Sequence, residues 1–154
     1  MKRVVWSIAV FTAVTFFFGG IYTAYAASLE EAKALGEKAA AYVKANGKEK
    51  GAAELNNAKG QFVKGEMYVT LHDFKGVFLA NPVAPAIVGQ NHYDLKDPDG
   101  KYFVREMIDI AKTKGSGWME YMWTNPATKK LQAKKSWVQR VEGTEMFTLS
   151  GIFQ

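Results

Sequence analysis

The segment Trp118-Met119-Glu120-Tyr121-Met122-Trp123 carries aromatic or apolar side chains at both odd and even positions. A strand points successive side chains to opposite faces, so a strand of this composition is buried on both sides. The sheet that contains it therefore has something packed on each face. Flanking Gly, Asn and Pro residues divide the C-terminal half into three such segments, Gly117 to Thr124, Lys130 to Val141 and Met146 to Phe153, with Asn125-Pro126-Ala127-Thr128 and Glu142-Gly143 as hairpin turns. Consecutive hairpins favour antiparallel pairing.

Upstream, Met67, Val69 and Leu71 alternate with Tyr68, Thr70 and His72, which predicts another strand, and Lys75-Gly76 turns into a second one over Val77 to Ala80. The covering layers are legible in helical spacing. Ser28-Leu29-Glu30-Glu31 has the form of a capping box, and Leu29, Ala32, Leu35, Ala39 and Val43 recur at three- and four-residue steps until Asn46-Gly47. A shorter helix is expected over Glu49 to Ala58. A third, Lys101 to Lys114, is expected to take Asp99 as its cap and to present Phe103, Val104, Met107, Ile108 and Ala111 on one face. These elements predict an α+β fold with helices on both faces of an antiparallel sheet.

Lys2 and Arg3 precede an uncharged apolar run from Val4 to Ala27 that ends in Ala24-Tyr25-Ala26. A basic start, an apolar middle and a small-x-small end form an export signal, placing a signal peptide at 1–26 and one domain at 27–154. The other reading is a retained membrane helix, since about 20 apolar residues can cross a bilayer. Either places the remainder outside the cytoplasm, as a periplasmic or secreted domain or as a tethered one.

Without Lys2 and Arg3, 18 basic residues face 15 acidic ones, scattered rather than clustered, which gives no case for nucleic acid. No cysteine is present, which excludes disulfides and thiolate chemistry. Asp97, Asp99, Gly100 and Glu106 fit later positions of a calcium loop, but Leu95 occupies its first. A turn is the better reading there. His72 and His92 lack a third ligand in sequence reach and are read as surface or loop residues. Ser116 and Ser136 lack a nucleophile motif, so no enzyme and no cofactor are expected.

Several short motifs resemble those of a known family. His72-Asp73-Phe74-Lys75-Gly76, Leu79-Ala80-Asn81-Pro82, Gly89-Gln90-Asn91, Asp94-Leu95-Lys96-Asp97 with Asp99-Gly100-Lys101, Gly117-Trp118-Met119-Glu120-Tyr121 and Lys135-Ser136-Trp137-Val138 follow the order seen in the single Cache domain, a PAS-like extracytoplasmic sensor of bacterial receptors. The resemblance covers residues 30–154. It implies a five-stranded antiparallel PAS-like sheet, a long N-terminal helix on one face, and a loop-helix lid over a small-molecule pocket on the other. It also implies a short organic acid as ligand. Because the sequence ends at Gln154 without a kinase or methyl-accepting region, signalling is expected to pass to a separate membrane receptor, histidine kinase or transporter.

A buried carboxylate needs a cation and donors. Lys135 is the first candidate, sharing a strand face with Trp137, and Tyr121 and Trp123 on the neighbouring strand offer a phenol and an indole donor. Tyr68 could add a donor, Phe103 and Met107 an apolar lid, and Asn81 could meet ligand or shape the loop before Pro82. The competing reading has Lys135 reaching solvent from an edge and the aromatics forming core. A purely structural alternative pairs two copies as a homodimer through Ala32, Gly36, Ala39 and Ala40 of the first helix, whose small side chains permit close approach.

Overall fold

The computed structural model describes residues 19–154, with side chains from Ser28 onward. Residues 1–18 of the expected leader at 1–26, and the side chains around Ala26, lie outside the described residues. Helix α1 (Gly19–Leu55) leads into β1 (Val63–Lys64), β2 (Met67–Asp73) and β3 (Phe78–Ala80). A single 3-10 turn at Pro85–Ile87 lies in the long loop before α2 (Phe103–Thr113), and β4 (Ser116–Thr124), β5 (Leu131–Val141) and β6 (Met146–Phe153) complete the chain.

The strands form one antiparallel sheet in the order β1-β2-β6-β5-β4, with β3 beside β2 on the edge that β1 occupies further along. The count is six strands rather than five. The extra one, β1, is a two-residue pairing of Val63 with Tyr68 and Lys64 with Met67 across the positive-φ turn at Gly65. The final strand β6 lies centrally between β2 and β5, paired on both sides from Met146 to Ser150 and with β5 alone from Gly151 to Phe153.

α1 covers one face. Ala32, Leu35, Ala39, Ala40 and Val43 are buried against Met67, Val69, Leu71, Val141 and Met146. The small residues offered above as a homodimer surface are therefore turned to the sheet: a side chain on Gly36 would come within 3.3 Å of Ser150 and 3.4 Å of Trp137. They are not available to a second copy.

The helix runs through Ser28 rather than starting there, because the apolar segment before it continues the same helical turns. The capping-box reading is corrected accordingly. At Gly47 the backbone leaves helical geometry (φ 79°, ψ 171°) and the helix resumes to Leu55, so the expected stop is a kink between two segments. The second segment folds back tightly enough that a Cβ on Gly51 would fall 2.9 Å from Val43. It ends at Leu55, before the expected Ala58.

α2 and its loop cover the other face, burying Phe103, Val104, Met107, Ile108 and Ala111 against Met119, Tyr121, Val138, Phe147 and Leu149. Asp99 does not cap α2; Tyr102 holds the cap position without a side-chain bond. Asp97 organises this entry instead, its Oδ1 accepting from the Lys101 amide at 2.9 Å and its Oδ2 from the Met122 amide at 3.2 Å. The lid is thereby tied to β4. Among the described residues no helix is long and apolar enough to cross a membrane.

Candidate functional site

Strand register decides which side chains meet beneath α2. In the β4–β5 pair Tyr121 stands opposite Lys134, and Trp123 opposite Gln132, so Lys134 lies on the face of Tyr121 and Trp123. Lys135 stands opposite Glu120 and points to the other face with Trp137 and Trp118. There its ammonium pairs with Glu120 at 3.0 Å, and its side chain is 29% exposed. The assignment of Lys135 and Trp137 to the cleft is thus off by one position, and a one-residue slip in a strand inverts the face.

A cavity lies between the sheet and α2. Tyr68, Thr70, Tyr121, Trp123, Lys134 and Leu149 line it from the sheet, Phe103 and Met107 from the lid, and Phe78 and Asn81 from the strand and turn before the loop. Six of the expected residues, Tyr68, Asn81, Phe103, Met107, Tyr121 and Trp123, are brought together here. Lys134, Thr70, Phe78 and Leu149 are additional. The space open to the centre of a water molecule is about 10 Å³, room for roughly one water. Phe103 stacks on Tyr121 with ring centroids 5.0 Å apart and meets Trp123 edge-on at 5.7 Å, which closes the chamber from above.

Lys134 is 3% exposed. Its Nζ lies 3.9 Å from the centroid of the Tyr68 ring and 4.8 Å from that of Phe153. None of the four ion pairs among the described residues includes it. Aromatic faces attract an ammonium without replacing its water, so burial pulls the Lys134 pKa down to about 7. Burial pushes the Tyr68 phenol up to about 12, with Trp123 opposing this in part. It also pushes Tyr121 far up, helped by Tyr68 and opposed in part by Ser136. Both phenols are neutral donors at ordinary pH.

The polar atoms here are under-partnered. Tyr68 Oη and Ser136 Oγ are buried without a hydrogen bond of good geometry, their polar neighbours being Trp123 and Tyr121 respectively. Gly151 faces Ser136 across the β5–β6 pair, and a Cβ there would overlap Ser136 Oγ and the Lys135 carbonyl, so the backbone must stay bare beside the hydroxyl. Asn81 shapes the loop, its Oδ1 accepting from the Val83 amide at 3.1 Å and the Ala84 amide at 3.0 Å. Gln90 and Asn91 likewise bond backbone, to the Ala86 and Lys75 carbonyls.

His72 is fully buried rather than a surface residue. Its ring stacks on Phe147 at 4.9 Å, and its Nε2 lies 2.7 Å from Thr70 Oγ1. Burial, reinforced by the charges of His92 and Lys134, lowers its pKa to about 3, so it is neutral. Among the described residues no group of three or more His, Asp or Glu side chains could hold a metal ion. The site can offer one cation and several neutral hydroxyl donors in an apolar box, a set suited to holding a small anion.

The family model for Single Cache domain 2 matches residues 17–153. A sensor histidine kinase, MctS of Rhizobium johnstonii, is 30% identical over 86 residues, 56% of this chain and 18% of its own length. The methyl-accepting chemotaxis protein McpP of Pseudomonas putida is 26% identical over 86 residues, again 56% of this chain and 16% of its own. The chain thus spans less than a fifth of the length of either curated relative. Among solved structures, a Cache chemosensory domain studied for its carboxylic acid recognition superposes with a TM-score of 0.70 at 24% identity, covering 86% of this chain and 97% of that one. A methyl-accepting chemotaxis protein of Vibrio parahaemolyticus gives 0.70 at 19% identity, with 86% and 90% covered. These likenesses agree with the six-stranded α+β architecture described above. The chain belongs to the single Cache domain family of extracytoplasmic sensor domains.

Proposed function

We propose that this domain senses a short organic acid by placing the carboxylate against the Lys134 ammonium, with Tyr68 and Tyr121 donating to its oxygens and Phe103 and Met107 closing over the carbon chain. The observation that carries this reading is a buried ammonium with no ion-pair partner, set over the Tyr68 ring inside a mostly apolar chamber. An uncompensated polar group in an apolar site costs several kcal/mol, and an entering carboxylate removes that cost by charge-assisted hydrogen bonds. A Cache chemosensory domain of the same fold that recognises carboxylic acids points the same way. The chemistry is binding, without a turned-over substrate.

The chamber admits about one water, so acid entry requires the lid or its aromatics to move. A ligand that binds the opened and reclosed arrangement better than the empty one shifts the population of the two, and a membrane-bound kinase, chemoreceptor or transporter can read that shift. The domain acts outside the cytoplasm, delivered by the apolar N-terminal segment as a cleaved leader or held by it as an anchor.

The test is a thermal-shift screen of short organic acids on the wild type, Lys134→Met and Lys135→Met. Acids at a hundred times their dissociation constant should stabilise the wild type and Lys135→Met by about 2.7 kcal/mol and leave Lys134→Met unmoved. Equal shifts in all three proteins would remove Lys134 from the site. No shift in the wild type would overturn the organic-acid reading.

A further inference from the structure

A second hollow lies directly outside the chamber. It is bounded by Val83, Ala84 and Ile87 of the long loop and by Pro126 and Lys129 of the β4–β5 hairpin, and it measures about 180 Å³ against 10 Å³ for the chamber on the same scale. Tyr68 and Trp123 line both spaces. The two compartments therefore meet at this pair. Tyr68 is 2% exposed and lies under Lys134, whereas Trp123 is half-buried, with one edge toward the outer hollow.

Trp123 is held as a wall. Its ring lies nearly parallel to Phe78 with centroids 6.4 Å apart, meets Phe103 edge-on at 5.7 Å and is tilted against Tyr121 at 6.2 Å. Contacts on three elements fix its rotamer more firmly than a surface aromatic's. On its far side the hollow is mostly apolar, with Val83, Ala84, Ile87 and Pro126, so a hydrocarbon chain passing this wall would find favourable surroundings.

We propose that the Trp123 indole is the size filter of this site: it stops the carbon chain of a Lys134-bound acid after a few carbons and keeps the apolar outer hollow out of reach. The inference rests on the organic-acid reading above and adds which residue sets the chain-length limit. Acids short enough to lie between Lys134 and the indole are accepted. Longer ones collide with a ring that Phe78, Phe103 and Tyr121 hold in place.

Isothermal titration of the purified protein with propionate and with hexanoate tests this. The wild type should bind propionate and lose at least tenfold in affinity at hexanoate. In Trp123→Ala the compartments join, and hexanoate should overtake propionate, since each methylene newly buried is worth about fourfold at ~0.8 kcal/mol. Trp123→Leu, which keeps an apolar side chain on the strand, should move the preference in the same direction with less disturbance of the fold. Refilling the hollow with Ala84→Trp in the Trp123→Ala background should restore the cutoff. A wild type that takes hexanoate as well as propionate, or a chain-length profile unchanged in both Trp123 variants, overturns the filter while leaving acid binding intact. If neither acid binds the wild type, the organic-acid reading fails and the filter with it.

Discussion

The two faces of the sheet are built from the same strands to opposite ends. Beneath α1, Ala32, Leu35, Ala39 and Val43 meet Met67, Val69, Leu71 and Val141, a largely apolar layer in which Thr148 and Ser150 are the buried hydroxyls, Thr148 donating to the Gly36 carbonyl. Beneath α2, alternate residues of those strands supply Tyr68, Thr70, His72, Tyr121, Lys134 and Ser136, all buried. Hydroxyls, an imidazole and an ammonium are a poor way to fill a core, because each loses water on burial and several find no protein partner. On the function proposed above, the first face serves stability and the second recognition.

Substitutions should separate the faces. Leu35→Ala leaves a cavity in the apolar layer and should cost about 2–5 kcal/mol in denaturant unfolding, with acid binding by the folded fraction unchanged. Lys134→Met should do the reverse, stabilising the empty protein at neutral pH by on the order of 1–3 kcal/mol while removing the response to acids. A loss of stability from Lys134→Met would place that ammonium among the structural groups.

Acidity probes the same contrast. Between about pH 7 and 10.5 the unfolded chain holds a proton on Lys134 that the folded chain does not, so stability of the empty protein should climb with pH across that window, by up to about 1.4 kcal/mol per unit, and be flat with respect to this group below it. His72 acts in the same direction at lower pH: stability should fall as pH drops from 6.5 toward about 3, because the unfolded imidazole takes a proton the buried one refuses. Thermal denaturation from pH 4 to 10 should show both slopes in the wild type and only the acid slope in Lys134→Met. Lys135→Met, which removes a partly exposed pair with Glu120, should change stability by less than about 1 kcal/mol and leave the acid response in place.

Period and turn chemistry carry most of the architecture. The alternation from Met67 and the three-four spacing from Ala32 to Val43 each specify an element that forms where expected; Trp118 to Trp123 also forms its strand, but at the sheet edge and buried on the cavity face alone, with Glu120 exposed and Trp118 and Met122 half-buried on the other. What the residues do not carry is register. The β4–β5 connection leaves Thr124 opposite Leu131, and that pairing sets Tyr121 against Lys134 rather than Lys135. Adjacent lysines are indistinguishable by composition, and the aromatic at Trp137 draws the reading to the wrong parity. Val138 and Ser136, both fully buried on the cavity face, are the signal that would have counted back to Lys134. His72 is illegible for a related reason: its burial depends on how Phe78 of the next strand and Phe147 of the distant β6 close over its ring.

The most direct measurement is a nuclear magnetic resonance titration of the Lys134 side chain, with and without a saturating short organic acid. The empty protein should titrate near pH 7, and the bound acid should move the transition upward, since a carboxylate beside the ammonium favours its charged form. A Lys134 that titrates near its ordinary 10.5 in the empty protein and does not respond to any acid would contradict this.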